Sequence, residues 1–331
     1  MANCSSPPTG LPPIPDIGPP YMGTHPGGLY VGTNSVPALH AWRYRALALE
    51  IEPLDRFGRP APVGAPGSGG GEIGFVGLGF SNGQNILKKF VLPVGTRRAV
   101  RDVNLCAPGA DASILANAGS AYWKSYVPMQ LAAAGMDAKQ VQVAWIVSGE
   151  QAPPVGVGFP ANIVALQAQW VAIVQNALAV FPNLKIAYLD SPTYGGYNAA
   201  GSTEPWNYEQ GYAVQGVIAQ QIGGDPALAP PRPANWPPPP PGAPPPVPAA
   251  PLLLWGLCLW CDGLPRTWDG LDLICPADVN FDGHHLSPRG SEKYAGFLSA
   301  RLGGDVTAGV WLTGFDLGAP PASAPPVQVP G

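Results

Sequence analysis

Apolar residues recur along this chain with two different periods. Short, nearly continuous apolar runs bounded by turn residues occur at residues 72–80 (EIGFVGLGF), 98–106, 141–147 (VQVAWIV), 184–189 (LKIAYL) and 252–255. Runs of this length and composition predict strands buried on both faces. Between them the spacing changes to three and four. It is clearest over residues 160–181, where Ile163, Leu166, Trp170, Ile173, Val174, Leu178 and Phe181 share one helix face. A weaker helical pattern spans 121–134, interrupted by Pro128, and a further helix spans 206–222. The last, 288–302, gathers Tyr294, Phe297, Leu298 and Leu302 on one side. Ser287 and Pro288 read as its N-cap and first helical residue, and Gly303 as its C-terminal cap.

Strands alternating with helices predict parallel pairing through right-handed crossovers, with helices covering both faces of the sheet. The expected fold is α/β, a three-layer sandwich around a central parallel sheet of about five strands. In open sheets of this kind ligands bind beyond the carboxyl ends of the strands. Chemistry is therefore expected in the loops after Phe80, Cys106, Val147, Leu189 and Trp255.

The remaining chain departs from these periods. Residues 1–28 read as an extended Pro/Gly-rich arm wrapping the surface, and residues 307–331 as a Pro/Ala-rich tail with one apolar turn at Trp311. The α/β domain between them spans 29–306. Residues 41–54 are apolar and mixed, ending in a turn at 55–60. A Pro-rich insertion covers 227–251, with proline runs at 237–241 and 244–246 that favour polyproline II. It reads as a surface excursion, with docking of a partner as the alternative.

Composition narrows the functional classes. Only 11% of residues are charged, the net charge is −4 and no Lys/Arg run appears, which excludes the basic footprint of a nucleic-acid binder. No stretch approaches the roughly 18 consecutive apolar residues of a membrane span, and the N-terminus lacks the regions of a signal peptide. The expectation is an extracytoplasmic or secreted protein whose signal lies outside this numbering, the cytoplasm being the alternative. Five cysteines are too few for a disulfide scaffold. A bridge from Cys258 or Cys261 to Cys275 is expected, rather than redox chemistry at Cys258-Leu259-Trp260-Cys261. Cys4 is a candidate for lipidation, although Asn3 suits that reading poorly. The cluster Gly67-Ser68-Gly69-Gly70-Gly71 lacks a following Lys-Ser/Thr and helix, so it is no phosphate loop.

Two places carry candidate chemistry. In Phe281-Asp282-Gly283-His284-His285 the carboxylate and the second imidazole are three apart, with Gly283 allowing a tight turn. Asp282 can thus orient His285 and stabilise its charged form. Ser81 follows the first strand between Gly79 and Gly83, so that its hydroxyl can project at the carboxyl edge of the sheet as a nucleophile; an ordinary N-cap serine is the alternative. His284 could position substrate or simply face solvent, whereas His25 and His40 are isolated. Tyr194, Tyr197, Trp206 and Tyr208 suit either a sugar-stacking wall or packing.

Gly79-Phe80-Ser81-Asn82 after the first strand, with Asp282-Gly283-His284-His285 before the last helix, resembles the SGNH or GDSL-like hydrolase superfamily over roughly residues 72–302. Gly-Phe-Ser stands here in place of that family's Gly-Asp-Ser. The resemblance implies a flavodoxin-like fold, with Ser81 as nucleophile, His285 as base and Asp282 as the residue that orients it. It further implies Gly109, in Ala107-Pro108-Gly109-Ala110, as an oxyanion donor and no metal or other cofactor. The family's Gly-x-Asn-Asp block is replaced by Ser148-Gly149-Glu150-Gln151. Ser148, Gln151 and, more distantly, Asn162 are the substitutes for its asparagine, and Asn82 completes the substrate-binding set. The implied function is ester hydrolysis, with acyl groups on carbohydrate or a small molecule as substrate. The rivals are a silent binding or surface protein of the same fold and an acyltransferase.

Overall fold

A computed structural model of the chain describes residues 1–64, 70–235 and 247–318. It is an α/β protein built on five parallel strands: β1 (Ile73–Gly79), β2 (Val100–Asn104), β3 (Val141–Val147), β4 (Ile186–Asp190) and β5 (Leu252–Trp255). Every residue of β1, β3, β4 and β5 is buried, as their unbroken apolar runs require. Edge strand β2 is only partly covered.

The strand order is β2-β1-β3-β4-β5, the flavodoxin-like order of doubly wound sheets. The chain steps outward from β1 to β2, then reverses through β3, β4 and β5. Right-handed crossovers consequently send the helix after β1 to one face and those after β2, β3 and β4 to the other. One group packs α1 (Ala38–Leu49), α2 (Ser81–Leu87), α7 (Pro288–Gly304) and α8 (Ala308–Leu312). The other comprises α3 (Ala112–Ala116), α4 (Val127–Ala134), α5 (Ala161–Val180) and α6 (Trp206–Ile222). The reversal opens a crevice at the carboxyl ends of β1 and β3.

Several expectations change in detail. Residues 41–54, read as irregular, include most of α1. Its buried face carries polar groups that obscure an apolar stripe: His40 Nε2 bonds Leu253 O at 2.7 Å, and Tyr44 Oη lies 2.6 Å from Tyr188 Oη. The 121–134 segment divides into a π-helical turn, Tyr122–Tyr126, and α4, with Pro128 tolerated in the first turn of the latter. Helix α7 runs through Gly303 and ends at the cap residue Asp305. By length and composition α5 is apolar enough to cross a membrane. Here Ile163, Leu166, Trp170 and Ile173 are buried, and the helix packs against α3 and α6.

The predicted disulfide is also replaced. Cys4 pairs with Cys275, while Cys106, Cys258 and Cys261 are free and buried. The bridged Cys4 has no thiol left for lipidation. The bridge fastens the N-terminal arm, which Thr9 ties to Asp262 and Tyr21 to Glu209. The proline runs at 237–241 and 244–246, residues 67–69 of the glycine cluster, and 319–331 of the tail lie outside the described residues.

Candidate active site

Strand β1 ends at Gly79 with φ +138°, where a Cβ would fall 1.8 Å from Val147 O. Glycine lets the chain leave the sheet sharply and enter α2 at once, with Phe80 as the cap residue and Ser81 as the first helical residue. Ser81 is thereby presented at the crevice rather than capping the helix. Its backbone N–H, in the first turn, has no intrahelical acceptor.

The second half of the site is the loop before α7, whose N-cap is Ser287: its Oγ accepts from Gly290 N at 3.1 Å. Gly283 (φ +67°) turns the chain so that Asp282 faces back along it. One oxygen of Asp282 accepts the backbone N–H of His284 and of His285, both at 2.9 Å; the other meets His285 Nδ1 at 2.8 Å. Burial alone would raise the Asp282 pKa, but those N–H groups and the His285 ring outweigh it and hold the carboxyl down to about 2. His285 Nε2 lies 2.9 Å from Ser81 Oγ. Hydroxyl, imidazole and carboxylate form one continuous hydrogen-bonded row across 204 positions of sequence.

Asn82 joins the two halves. Its Nδ2 donates to Thr193 Oγ1 at 3.2 Å and His284 O at 3.1 Å, and its Oδ1 accepts from Leu286 N at 3.0 Å. Both amide hydrogens are committed, so Asn82 ties the histidine loop to α2 and keeps no free donor for the substrate contact expected from sequence. No protein-family model matches the chain, and no curated protein matches it.

The other predicted donors separate clearly. Ser148 is fully buried, and its hydroxyl has no partner among the described residues. Its backbone N–H continues the sheet to Asp190 O, and it is not among the described residues that line the cleft beside Ser81. Asn162 lies in α5, where its Nδ2 donates to Glu209 Oε2 at 2.5 Å, and it too is not among the described residues that line the cleft. Gly109 and Gln151 do line the cleft with Ser81, a space of about 490 Å³. Gly109 is held near Ser81 because Asn104 Nδ2 donates to Gln84 O while Gln84 Nε2 donates to Cys106 O.

Some cleft residues had no sequence signal. Gln210, on α6, grips Glu150 through both its backbone N–H (2.7 Å) and carbonyl (2.9 Å), fixing the loop after β3. Asp111 and Glu150 place two carboxylates on the cleft wall, and burial, reinforced by Asp111, raises the Glu150 pKa. His284 also lines the cleft, its ring edge-on to His285 at 4.9 Å. Burial and the His285 charge lower its pKa. Tyr194, Tyr197, Trp206 and Tyr208 are buried and packed; they form no exposed stacking wall. Among the described residues no three of His, Cys, Asp and Glu converge to hold a metal ion.

Proposed function

We propose that this chain is a serine ester hydrolase. The observation that carries the reading is the hydrogen-bonded row Ser81, His285, Asp282 opening on a cleft that Gly109 also lines. The resemblance of the Gly-Phe-Ser and Asp-x-x-His segments to SGNH hydrolases supports the same assignment.

In the proposed reaction Ser81 Oγ attacks the ester carbonyl while His285 Nε2 takes the hydroxyl proton. Asp282, ionised and bonded to Nδ1, fixes the ring and stabilises the imidazolium. Negative charge develops on the carbonyl oxygen, where the backbone N–H groups of Ser81 and Gly109 are its donors. Gln151 is the sequence-nominated amide that remains at the cleft. His285 returns the proton to the departing alcohol, leaving an acyl-serine. Water then attacks the acyl carbon, giving its proton to His285, and Ser81 recovers that proton as the acid leaves.

Active-site labelling tests this reading. A fluorophosphonate should couple stoichiometrically to Ser81, with the adduct located by peptide mass spectrometry. A folded protein that leaves the reagent untouched is a binding protein with the geometry of a hydrolase.

The pH profile provides a further expected result. Because Asp282 is held down to about 2 by its N–H partners and the His285 ring, the carboxylate should stay ionised through the acid limb of kcat/KM, which should follow one proton. The depressed carboxyl contributes stability that is present above its ordinary pKa of 3.8 and lost as pH falls through about 2. A two-proton acid limb above pH 3 would contradict this assignment.

Charge on the cleft wall should also be felt. Asp111 and Glu150 face the space beside Ser81, while among the described residues no Lys or Arg lines it. An ester with a carboxylate in its alcohol portion should therefore react about fivefold slower than its neutral isostere, equivalent to roughly 1 kcal/mol of repulsion. Glu150→Gln should narrow that difference in kcat/KM. An unchanged ratio would place the alcohol elsewhere.

A further inference from the structure

A second depression meets the cleft at Gly109. It runs between the loop after β2, continued by α3, and the helical segment containing Tyr122–Tyr126 and the start of α4. Its space is about 760 Å³, and its walls are Ala107, Pro108, Ile114, Tyr122, Tyr126 and Met129. The polar tips of both tyrosines are occupied elsewhere. Tyr122 Oη donates to Leu105 O and Tyr126 Oη to Cys106 O, each at 2.9 Å. Their stacked rings, 5.7 Å apart, therefore offer hydrocarbon to the groove. Among the described residues Ser125 supplies the only side-chain hydroxyl on the walls besides those tyrosines.

Two exposures are otherwise unexplained. Ile114 is 39% exposed and Met129 56% exposed on facing walls, an arrangement that leaves apolar surface in water unless something covers it. The groove extends along the helical segment from Ala121 to Met129, about 12 Å at roughly 1.5 Å per residue. That reach suits a medium-length hydrocarbon chain. Its junction with the cleft lies at Gly109, the proposed oxyanion donor, so a chain attached to the scissile carbonyl can enter it directly. The acidic portion of the cleft, with Asp111 and Glu150, then remains for the alcohol.

We propose that this groove binds the acyl chain, making the substrate a medium-chain acyl ester rather than an acetyl ester. The proposal rests on the reading of Ser81 as the nucleophile. Each methylene moved from water into a fully apolar site can raise kcat/KM by about fourfold, and a groove open on one side should retain about half of that free energy, roughly twofold per methylene.

The experiment measures kcat/KM of the full chain on p-nitrophenyl acetate, butanoate and octanoate below their aggregation limits. Octanoate should exceed acetate at least ~10-fold. Ser125→Trp, an exposed position on the groove face, and separately Met129→Trp, should each lower the octanoate-to-acetate ratio at least ~10-fold by filling the channel. Fluorophosphonate labelling of Ser81 is run on every variant. Ser81-dependent hydrolysis with no chain-length preference, or with a preference that both tryptophan variants leave intact, would overturn the groove while sparing the hydrolase reading. Absence of both hydrolysis and labelling in folded wild-type protein would overturn the hydrolase reading and the groove together.

Discussion

Alanine at position 81 is expected to reduce ester hydrolysis by on the order of 10⁴- to 10⁶-fold. The magnitude follows from the role of the missing atom. Without Oγ there is no acyl-enzyme, and His285 Nε2 loses the group whose proton it is placed to accept at 2.9 Å. What persists is the slower attack of water, helped by the oxyanion donors and by binding. The loss should fall on kcat, since the hydroxyl adds little to substrate affinity. Stability should hardly move, within about 0.5 kcal/mol, because a single partly exposed hydroxyl is removed from the first turn of a helix. Steady-state kinetics on a chromogenic ester, with a thermal melt of the same sample, measure both quantities. Persistence of hydrolysis in a well-folded Ser81→Ala protein would mean that chemistry occurs elsewhere.

Gly283→Ala should cost both fold stability and activity, through one methyl group that touches no substrate. At φ +67° an alanine is strained, and its Cβ would stand 1.6 Å from Tyr197 O and 2.4 Å from Tyr197 C. These are backbone atoms, which cannot rotate away as a side chain would. Neighbouring hydrogen bonds oppose relief: Ala199 N donates to Asp282 O at 2.8 Å, and Asn280 N donates to His285 O at 2.8 Å. The left-handed conformation contributes about 1 kcal/mol or more, and displacement of the loop adds to it. A total of at least ~3 kcal/mol should lower Tm by roughly 4 °C or more. A loop shift of about 1 Å would part His285 from Ser81 and cost on the order of 100-fold in kcat. Calorimetry and kinetics on the variant test the two effects together. If both remain at wild-type values, the turn does not set the imidazole position.

Asn82 shows why part of the site could not be read from sequence. It stands next to the proposed nucleophile in a motif whose resemblance favoured substrate contact, yet its three bonds reach Thr193, His284 and Leu286. Adjacency along the chain reveals a residue's neighbours, not the direction of its side chain. Ser148 illustrates the same limit: immediately beyond a strand at the functional edge, it takes the register that buries it. The Cys4–Cys275 pairing is still less legible, since its partners are 271 positions apart. The bridge expected from Cys258 or Cys261 to Cys275 would close a far shorter loop, and packing left both of those thiols free.

What the linear chain determines by itself is period and local geometry. Unbroken apolar runs demand strands covered on both sides, and their alternation with helical segments demands parallel crossovers. Likewise, a carboxylate and an imidazole three apart around a glycine can meet within one turn. Those properties depend on neighbours within a few bonds or on one-dimensional burial. The tertiary structure alone decided that Ser81 and His285 meet, that Asn82 staples their loops, and that an apolar groove opens beside Gly109. Each requires segments distant in sequence to meet at a particular angle, which is set by strand order, side-chain direction and close packing of the whole core.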